Sequence, residues 1–117
     1  MSELVFVETL QLADAIRTGA ASAVEVLRAH LAQIAKHNPA LNAIVTLDAD
    51  RAQEQARAAD AALARGEVWG PLHGVPFTLK DALATAGMRT TAGSPQLDHV
   101  PREDSTVSVR LKQRVVF

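Results

Sequence analysis

The chain has 117 residues, enough for one domain and no more. Apolar residues make up 48% of the sequence and aromatic residues 3%, and 18 of the 22 alanines precede Ala82. Alanine favours helix but buries little apolar area, so we expect helices that are weakly anchored by packing. The net charge is −1. With charge so balanced, the composition argues against a basic face for binding nucleic acid.

Cysteine is absent, which excludes disulfides and thiolate metal sites and is compatible with a reducing cytoplasm. The first residues lack the basic-then-apolar pattern of a signal peptide, and no apolar run approaches the roughly 20 residues of a membrane helix. The histidines do not cluster at the i,i+4 spacing of a helical metal site. The sequence therefore predicts a soluble cytoplasmic protein with no membrane contact, metal or cofactor.

The N-terminal third predicts two helices. A helix is expected over residues 10–17, with Thr9 as its cap. Ser22 and Glu25 have the spacing of a capping box, in which each side chain bonds the main-chain N–H of the other residue. They open a longer helix, which Pro39 is expected to end.

The middle of the chain predicts a strand and then a third helix. Leu41–Leu47 alternates apolar and polar residues, which is typical of a strand. Asp48 or Asp50 is expected to cap an alanine-rich helix that stops at Gly66. Apart from alanine, this helix has almost no apolar residue, which favours a position on the surface of a larger folded body.

The C-terminal part predicts a second strand, a loop and a last helix. Turn residues lead into a strand over Val75–Leu79, and a Gly- and Thr-rich loop follows over Ala82–Ser94. Asp104 or Ser105 is expected to cap a helix, and the sequence closes on the apolar run Val115–Phe117.

This alternation predicts an α/β fold with helices packed on a sheet. Two short strands cannot form a stable, covered sheet alone, so residues 1–117 are interpreted as a single incomplete domain. The uncovered strands would offer a surface for self-association or for a partner chain.

The most informative stretch is Gly70–Asp81, which reads Gly-Pro-Leu-His-Gly-Val-Pro-Phe-Thr-Leu-Lys-Asp. Thr-Thr-Ala-Gly-Ser follows at residues 90–94. Lys80 stands where the apolar run stops, and a lysine at the end of a buried strand is costly unless it is paired or used in chemistry. It can act as a base only when neutral, a form that burial away from carboxylates favours. The alternative is a solvated lysine paired with Asp81.

This compound pattern resembles the start of the amidase signature family, whose members hydrolyse carbon–nitrogen amide bonds. The resemblance implies a Ser–cis-Ser–Lys triad with Lys80 as its catalytic lysine and a small-molecule amide as substrate. It also implies that the helices pack on the first strands of an amidase-type mixed sheet. The family's two catalytic serines follow later than Phe117, so the isolated chain is expected to be inactive.

The remaining motif residues are expected to shape the turn and the loop around Lys80. Gly74 and Pro76 are expected to set the turn geometry, and Asp81 to cap main-chain amides of the following loop. In the resembling family, the loop that contains four motif residues lies close to the triad: Thr90, Thr91, Gly93 and Ser94. The alternative is that their hydroxyls only satisfy groups of the loop itself. Two other functions stay open: an amidase-like component of a tRNA-dependent amidotransferase, and a non-catalytic fragment that docks on a partner chain.

Overall fold

A computed structural model of the chain describes residues 2–113. Within them lie α1 to α4, which span Thr9–Arg17, Ala23–Leu41, Ala49–Ala64 and Thr106–Lys112. Single 3₁₀ turns at Ser2–Phe6 and Pro95–Leu97 complete the regular elements. The predicted order of helices is therefore confirmed, while the predicted apolar run at 115–117 lies outside the described residues.

The helix ends are set by local side chains. The predicted capping box of α2 is confirmed: Ser22 Oγ accepts from the Glu25 N–H at 3.1 Å, and the Glu25 carboxylate accepts from the Ser22 N–H at 2.8 Å. Thr9 does not cap α1 as predicted, because the helix begins at that residue and Glu8 is its N-cap. Pro39 does not end α2 either. It lies in the last turn, and the helix stops only at the left-handed Asn42.

The two predicted strands and the mixed sheet are not confirmed. Leu41 belongs to α2, and neither residues 42–48 nor residues 75–79 form a regular strand. The main-chain N–H and C=O of Ile44 both bond the side-chain amide of Asn38, at 2.9 Å each, so this amide takes the place of a neighbouring strand. An isolated antiparallel bridge joins Thr90 to His99.

The core lies between α1, α2 and α3, and α3 packs on α2 through a stripe of alanines. Ala56, Ala59 and Ala62 are fully buried. Small side chains let the two helices approach closely enough to bury this stripe, whereas the opposite face of α3 is exposed, with Arg57, Ala58 and Ala61 on it. Asp60 reinforces the contact, since its carboxylate accepts from the main-chain N–H groups of Ala23 at 2.7 Å and Val24 at 3.2 Å.

The turn before the lysine motif sits on this helical core. His73 is 3% exposed; its Nδ1 accepts from the Trp69 N–H at 3.0 Å, and its Nε2 donates to the Ala59 carbonyl at 2.9 Å. Gly74 has a φ of 79°, and a Cβ at this position would lie 3.0 Å from side-chain atoms of both Ile16 and Ala23. A glycine is therefore required here, and the contact fixes where the following segment leaves the core.

The long loop after the lysine motif is held by α4. Ser105 is the N-cap of this helix, as one of the two predicted alternatives stated. Ser108 is fully buried and donates to the Ala84 carbonyl at 2.6 Å. Asp104 accepts from the Ala86 N–H at 2.7 Å and pairs with Lys112 at 2.8 Å. The loop is thus tied to a helix on its C-terminal side.

Candidate functional site

A groove of about 370 Å³ runs between the two segments that the sequence predicts as strands. Residues 43–48 line one side and residues 77–81 the other, and residues of the loop after the lysine line it as well. Lys80, Asp81 and Thr90 all line it, whereas the other predicted site residues do not: Gly74, Pro76, Thr91, Gly93 and Ser94. The structure therefore brings three of the predicted site residues to one groove and places the turn glycine in the helical core.

Lys80 is exposed on the wall of this groove. Its carbonyl accepts from the Leu83 N–H at 2.9 Å, which turns the chain directly after the motif. Among residues 2–113 its ammonium group has no hydrogen bond or ion pair, so the alternative pairing with Asp81 does not occur there. The burial expected from the sequence is absent, and the exposure of this side chain agrees with the solvated part of the alternative.

Asp81 directs its carboxylate at the loop ten residues further on. One oxygen accepts from the Thr91 N–H at 3.1 Å, and the other accepts from the Thr91 hydroxyl in a short hydrogen bond. The Asp81 carbonyl also accepts from the Ala92 N–H at 3.1 Å. Its carboxylate is thus committed to the loop and is not used to pair the neighbouring lysine.

The residues after Thr91 form a tight turn. Ala92 and Gly93 have φ values of 49° and 72°, and the Ser94 N–H donates to the Thr91 carbonyl at 2.9 Å, which is the pattern of a type I′ turn. Thr91 Oγ1 also accepts from the Gly93 N–H at 3.1 Å. Thr90 is buried and its hydroxyl donates to the Met88 carbonyl at 3.2 Å. Both threonine hydroxyls therefore make contacts within the loop.

An exposed ion pair stabilises the same loop. Arg89 makes two hydrogen bonds to Asp98, at 2.7 and 2.6 Å. The hydrogen bonds to Arg89 hold the pKa of Asp98 below its ordinary value. The bridge between Thr90 and His99 lies directly beside this pair, with N–H to carbonyl distances of 2.8 and 3.0 Å. These contacts close the loop on itself next to the groove.

Sequence reasoning missed Arg51 and Thr46. Arg51 lines the groove, and its Nη1 donates to the Ala86 carbonyl at 3.1 Å while its Nε lies 3.0 Å from the Asp48 carboxylate. The Thr46 hydroxyl donates to the Arg89 carbonyl at 3.2 Å. Both side chains tie the first wall to the loop. The spacing of Asp48 and Arg51 at a helix start could have indicated a local pair, but not its contact with the loop.

Within the described part of the chain, no cluster of three or more His, Asp or Glu side chains is arranged to hold a metal ion. The same residues include no helix that combines the length and the apolar character needed to cross a membrane.

Comparison with known proteins identifies the family. The family model described as Amidase matches residues 25–115, which is most of the chain. The chain belongs to the amidase family. The matched region contains α2 from its third residue onward, α3, the Gly74 turn, the Lys80 segment and the loop, so both walls of the groove lie inside it. The resemblance drawn from the motif is confirmed.

Curated relatives are similar over nearly the whole chain. The A subunit of glutamyl-tRNA(Gln) amidotransferase from Acidothermus cellulolyticus is 47% identical over 113 residues, which cover 96% of this chain and 22% of the relative. The corresponding protein from Moorella thermoacetica is 44% identical, with 95% of this chain and 23% of the relative covered. The chain thus spans about a quarter of the length of the curated relatives it matches.

Solved structures, one of them an amidase, share the fold of this chain. A structure described as "Crystal structure of amidase" has a TM-score of 0.83 and 32% identity, and the match covers 95% of this chain and 26% of that one. Another, described as "An unexpected vestigial protein complex reveals the evolutionary origins of an s-triazine catabolic enzyme", has a TM-score of 0.88 and 33% identity over 94% of this chain and 25% of that one. The helices and extended segments described above are therefore an amidase-type arrangement.

Proposed function

We propose that this chain supplies the lysine-bearing wall of an amide-hydrolysing site, with Lys80 as the base, in a protein of the glutamyl-tRNA(Gln) amidotransferase type. The observation that carries the proposal is the position of Lys80. It lines a groove, its ammonium group is unpaired within the described residues, and the adjacent carboxylate of Asp81 is committed to Thr91. A lysine placed in this way can lose its charge once the groove is covered, because no carboxylate of its own wall holds the proton on it.

The proposed reaction is acyl transfer to a serine. The neutral amine of Lys80 accepts a proton from one serine hydroxyl, which in turn accepts the proton of the nucleophilic serine. The nucleophilic oxygen bonds the amide carbonyl carbon, the C–N bond breaks, and the nitrogen leaves with a proton as ammonia or an amine. Water then hydrolyses the ester and releases the acid. This chain spans about a quarter of the length of its curated relatives. We propose that both serines belong to the part of such a protein that lies outside this quarter.

The amidotransferase type is favoured by the curated relatives, which carry that name at 38–47% identity. Their name includes a tRNA, whereas this chain has a net charge of −1. We therefore propose that any tRNA contact lies in the remaining part of the protein or in a partner chain, since phosphate binding depends on clustered Lys and Arg. A cytoplasmic location follows from the same assignment. An amidase that acts alone on small amides is the second candidate, supported by the solved amidase of the same fold.

A non-catalytic docking role is the third candidate. It is supported by three apolar side chains at the edge of the groove segment, since Leu41, Val45 and Leu47 are 70%, 51% and 52% exposed. Surfaces of this kind mark contacts with another chain or with the rest of a larger domain. The docking role and the catalytic role make different predictions for Lys80.

The test is a chimera in which this chain replaces the matched segment of the Acidothermus relative. We expect the chimera to release ammonia from amide substrates, and Lys80→Ala to lower kcat/KM by orders of magnitude because the base is removed. Lys80→Arg is expected to fail equally, since a guanidinium stays charged and cannot accept the proton. Lys36→Ala, which removes an exposed lysine of α2, is the matched control and should leave turnover unchanged.

Near-normal turnover of Lys80→Arg would show that Lys80 is only a positioning charge. A chimera that assembles but hydrolyses no amide would favour the docking role. The melting temperature of each variant, measured in the same preparation, separates loss of chemistry from loss of folding. Removing an exposed lysine from the groove wall is expected to change that temperature little.

A further inference from the structure

The main chain at the lysine is held from two sides. The Lys80 carbonyl accepts from the Leu83 N–H at 2.9 Å, and the Asp81 carbonyl accepts from the Ala92 N–H at 3.1 Å. The Asp81 carboxylate adds its two hydrogen bonds to Thr91. The end of the lysine segment and the 91–94 turn are therefore joined by three hydrogen bonds that all involve Asp81. We call this set the Asp81 clamp.

The turn at the other end of the clamp is in a costly conformation. Ala92 has a φ of 49°, a left-handed conformation in which the Cβ of a non-glycine residue lies too close to the following carbonyl oxygen. The hydrogen bonds from the Ala92 N–H to Asp81 and from the Gly93 N–H to Thr91 compensate for this cost. A strained turn persists only where its surroundings over-determine it. Loss of the clamp is therefore expected to release the turn.

We propose that Asp81 and Thr91 are positioning residues that fix the direction of the Lys80 side chain in the groove. The Lys80 and Asp81 carbonyls each accept a main-chain hydrogen bond, and the Asp81 carboxylate is bonded to Thr91. The main chain that carries the Lys80 side chain is therefore held on its C-terminal side, which limits the directions that this side chain can take. The inference rests on the proposed function for its catalytic consequence, although the clamp itself can be tested without it. A displacement of a catalytic group by about 1 Å can cost on the order of 100-fold in rate.

The first measurement is amide hydrogen exchange of the 117-residue chain, followed residue by residue by NMR. We expect Asp81→Ala to raise exchange at the Thr91 amide at least about tenfold, because its hydrogen bond to a charged acceptor is lost. Exchange at the Ala92 and Gly93 amides should also rise, because the released turn no longer holds their acceptors, the Asp81 carbonyl and Thr91 Oγ1, in place. Asp81→Asn keeps one acceptor oxygen and should retain part of the protection. Exchange within α2 should not change. Wild-type amides at 91–93 that exchange as fast as an unstructured peptide would overturn the clamp.

The second measurement uses the chimera described above. We expect Asp81→Ala to lower kcat about tenfold or more with KM within about twofold, and Asp81→Asn to recover most of the loss, since the effect is one of orientation. Glu67→Ala is the matched control, because it removes a carboxylate that pairs with an arginine, Arg65, and neither residue lines the groove. It should leave kcat unchanged.

The outcomes separate the inference from the function on which it rests. Wild-type kcat in Asp81→Ala would overturn the positioning role, and so would equal inactivity of Asp81→Ala and Asp81→Asn, because the charge and not the hydrogen-bond geometry would then matter. If the wild-type chimera shows no turnover while the exchange pattern is as expected, the proposed function fails and the catalytic part of the inference fails with it. In that case Asp81 is a structural clamp only.

Discussion

Replacing Asp60 by alanine should destabilise the chain more than its position on the surface of a helix suggests. Asp60 lies inside α3, yet its carboxylate accepts from the N–H groups of Ala23 and Val24 at 2.7 and 3.2 Å. These two donors belong to the first turn of α2, where main-chain N–H groups have no partner within the helix. Ala23 is fully buried, so water cannot replace the lost acceptor there.

The size of the effect follows from these contacts. Loss of an N-terminal cap costs about 0.5–2 kcal/mol, and a buried donor left without a partner costs about 1–3 kcal/mol. These contributions overlap, so we expect Asp60→Ala to lower the free energy of unfolding by about 2–3 kcal/mol. Because the entropy of unfolding is about 2.1 cal/mol/K per residue, the melting temperature should fall by roughly 8–12 °C for a chain of this length.

The assay is urea unfolding followed by circular dichroism, with thermal unfolding as a second measurement. Asp60→Asn should lose less than Asp60→Ala, because one acceptor oxygen remains. Glu54→Ala removes an exposed carboxylate of the same helix and is the control for helix propensity and net charge. A change in Asp60→Ala within about 0.5 kcal/mol, the range of ordinary surface substitutions, would refute the capping argument.

Three further outcomes are expected. Gly74→Ala should be strongly destabilising in the same unfolding assay, because the residue has a φ of 79° and the new Cβ would lie 3.0 Å from Ile16. The hydrogen bonds from Lys112 and from the Ala86 N–H lower the pKa of Asp104. The ionised Asp104 therefore stabilises the folded chain at pH values above the ordinary carboxyl pKa, and this stabilisation is lost as the pH falls through the lowered pKa. The free energy of unfolding, measured from pH 7 down to pH 3, should therefore fall less steeply in Asp104→Asn. Finally, the chain should self-associate with rising concentration in light scattering, and Val45→Lys should reduce the association.

Signals between close neighbours in the sequence predicted the helices well. The box of Ser22 and Glu25 and the left-handed Gly66, with a φ of 78°, mark helix ends that the structure confirms. The prediction that Pro39 ends α2 was wrong. A proline removes one main-chain donor from a helix, and in the last turn this costs only one of the final hydrogen bonds, so α2 continues to Leu41. The strand predictions failed because alternation indicates an extended chain but does not supply a neighbouring strand to pair with.

The candidate site was predictable only in part. The position of Lys80 after an apolar run marked it as a candidate site residue. Its exposure on the wall of the groove was not predicted, because exposure depends on how distant segments pack and not on the neighbouring sequence. The contact of Asp81 with Thr91 spans ten residues, and that of Asp60 with Ala23 spans 37 residues. No short-range pattern specifies such contacts, because they exist only once the elements have packed.

The chain contains a single tryptophan, Trp69, and its ring centroid lies 5.0 Å from that of the buried His73. Its fluorescence therefore reports on one event, the seating of the 69–75 turn on the helical core. Far-ultraviolet circular dichroism reports instead on α2 and α3, which hold most of the helical residues in the described part of the chain. Coincident curves from the two signals would show that the turn and the helices unfold as one cooperative unit. An earlier fluorescence transition would show that the segment leading to Lys80 can detach while its support stays folded.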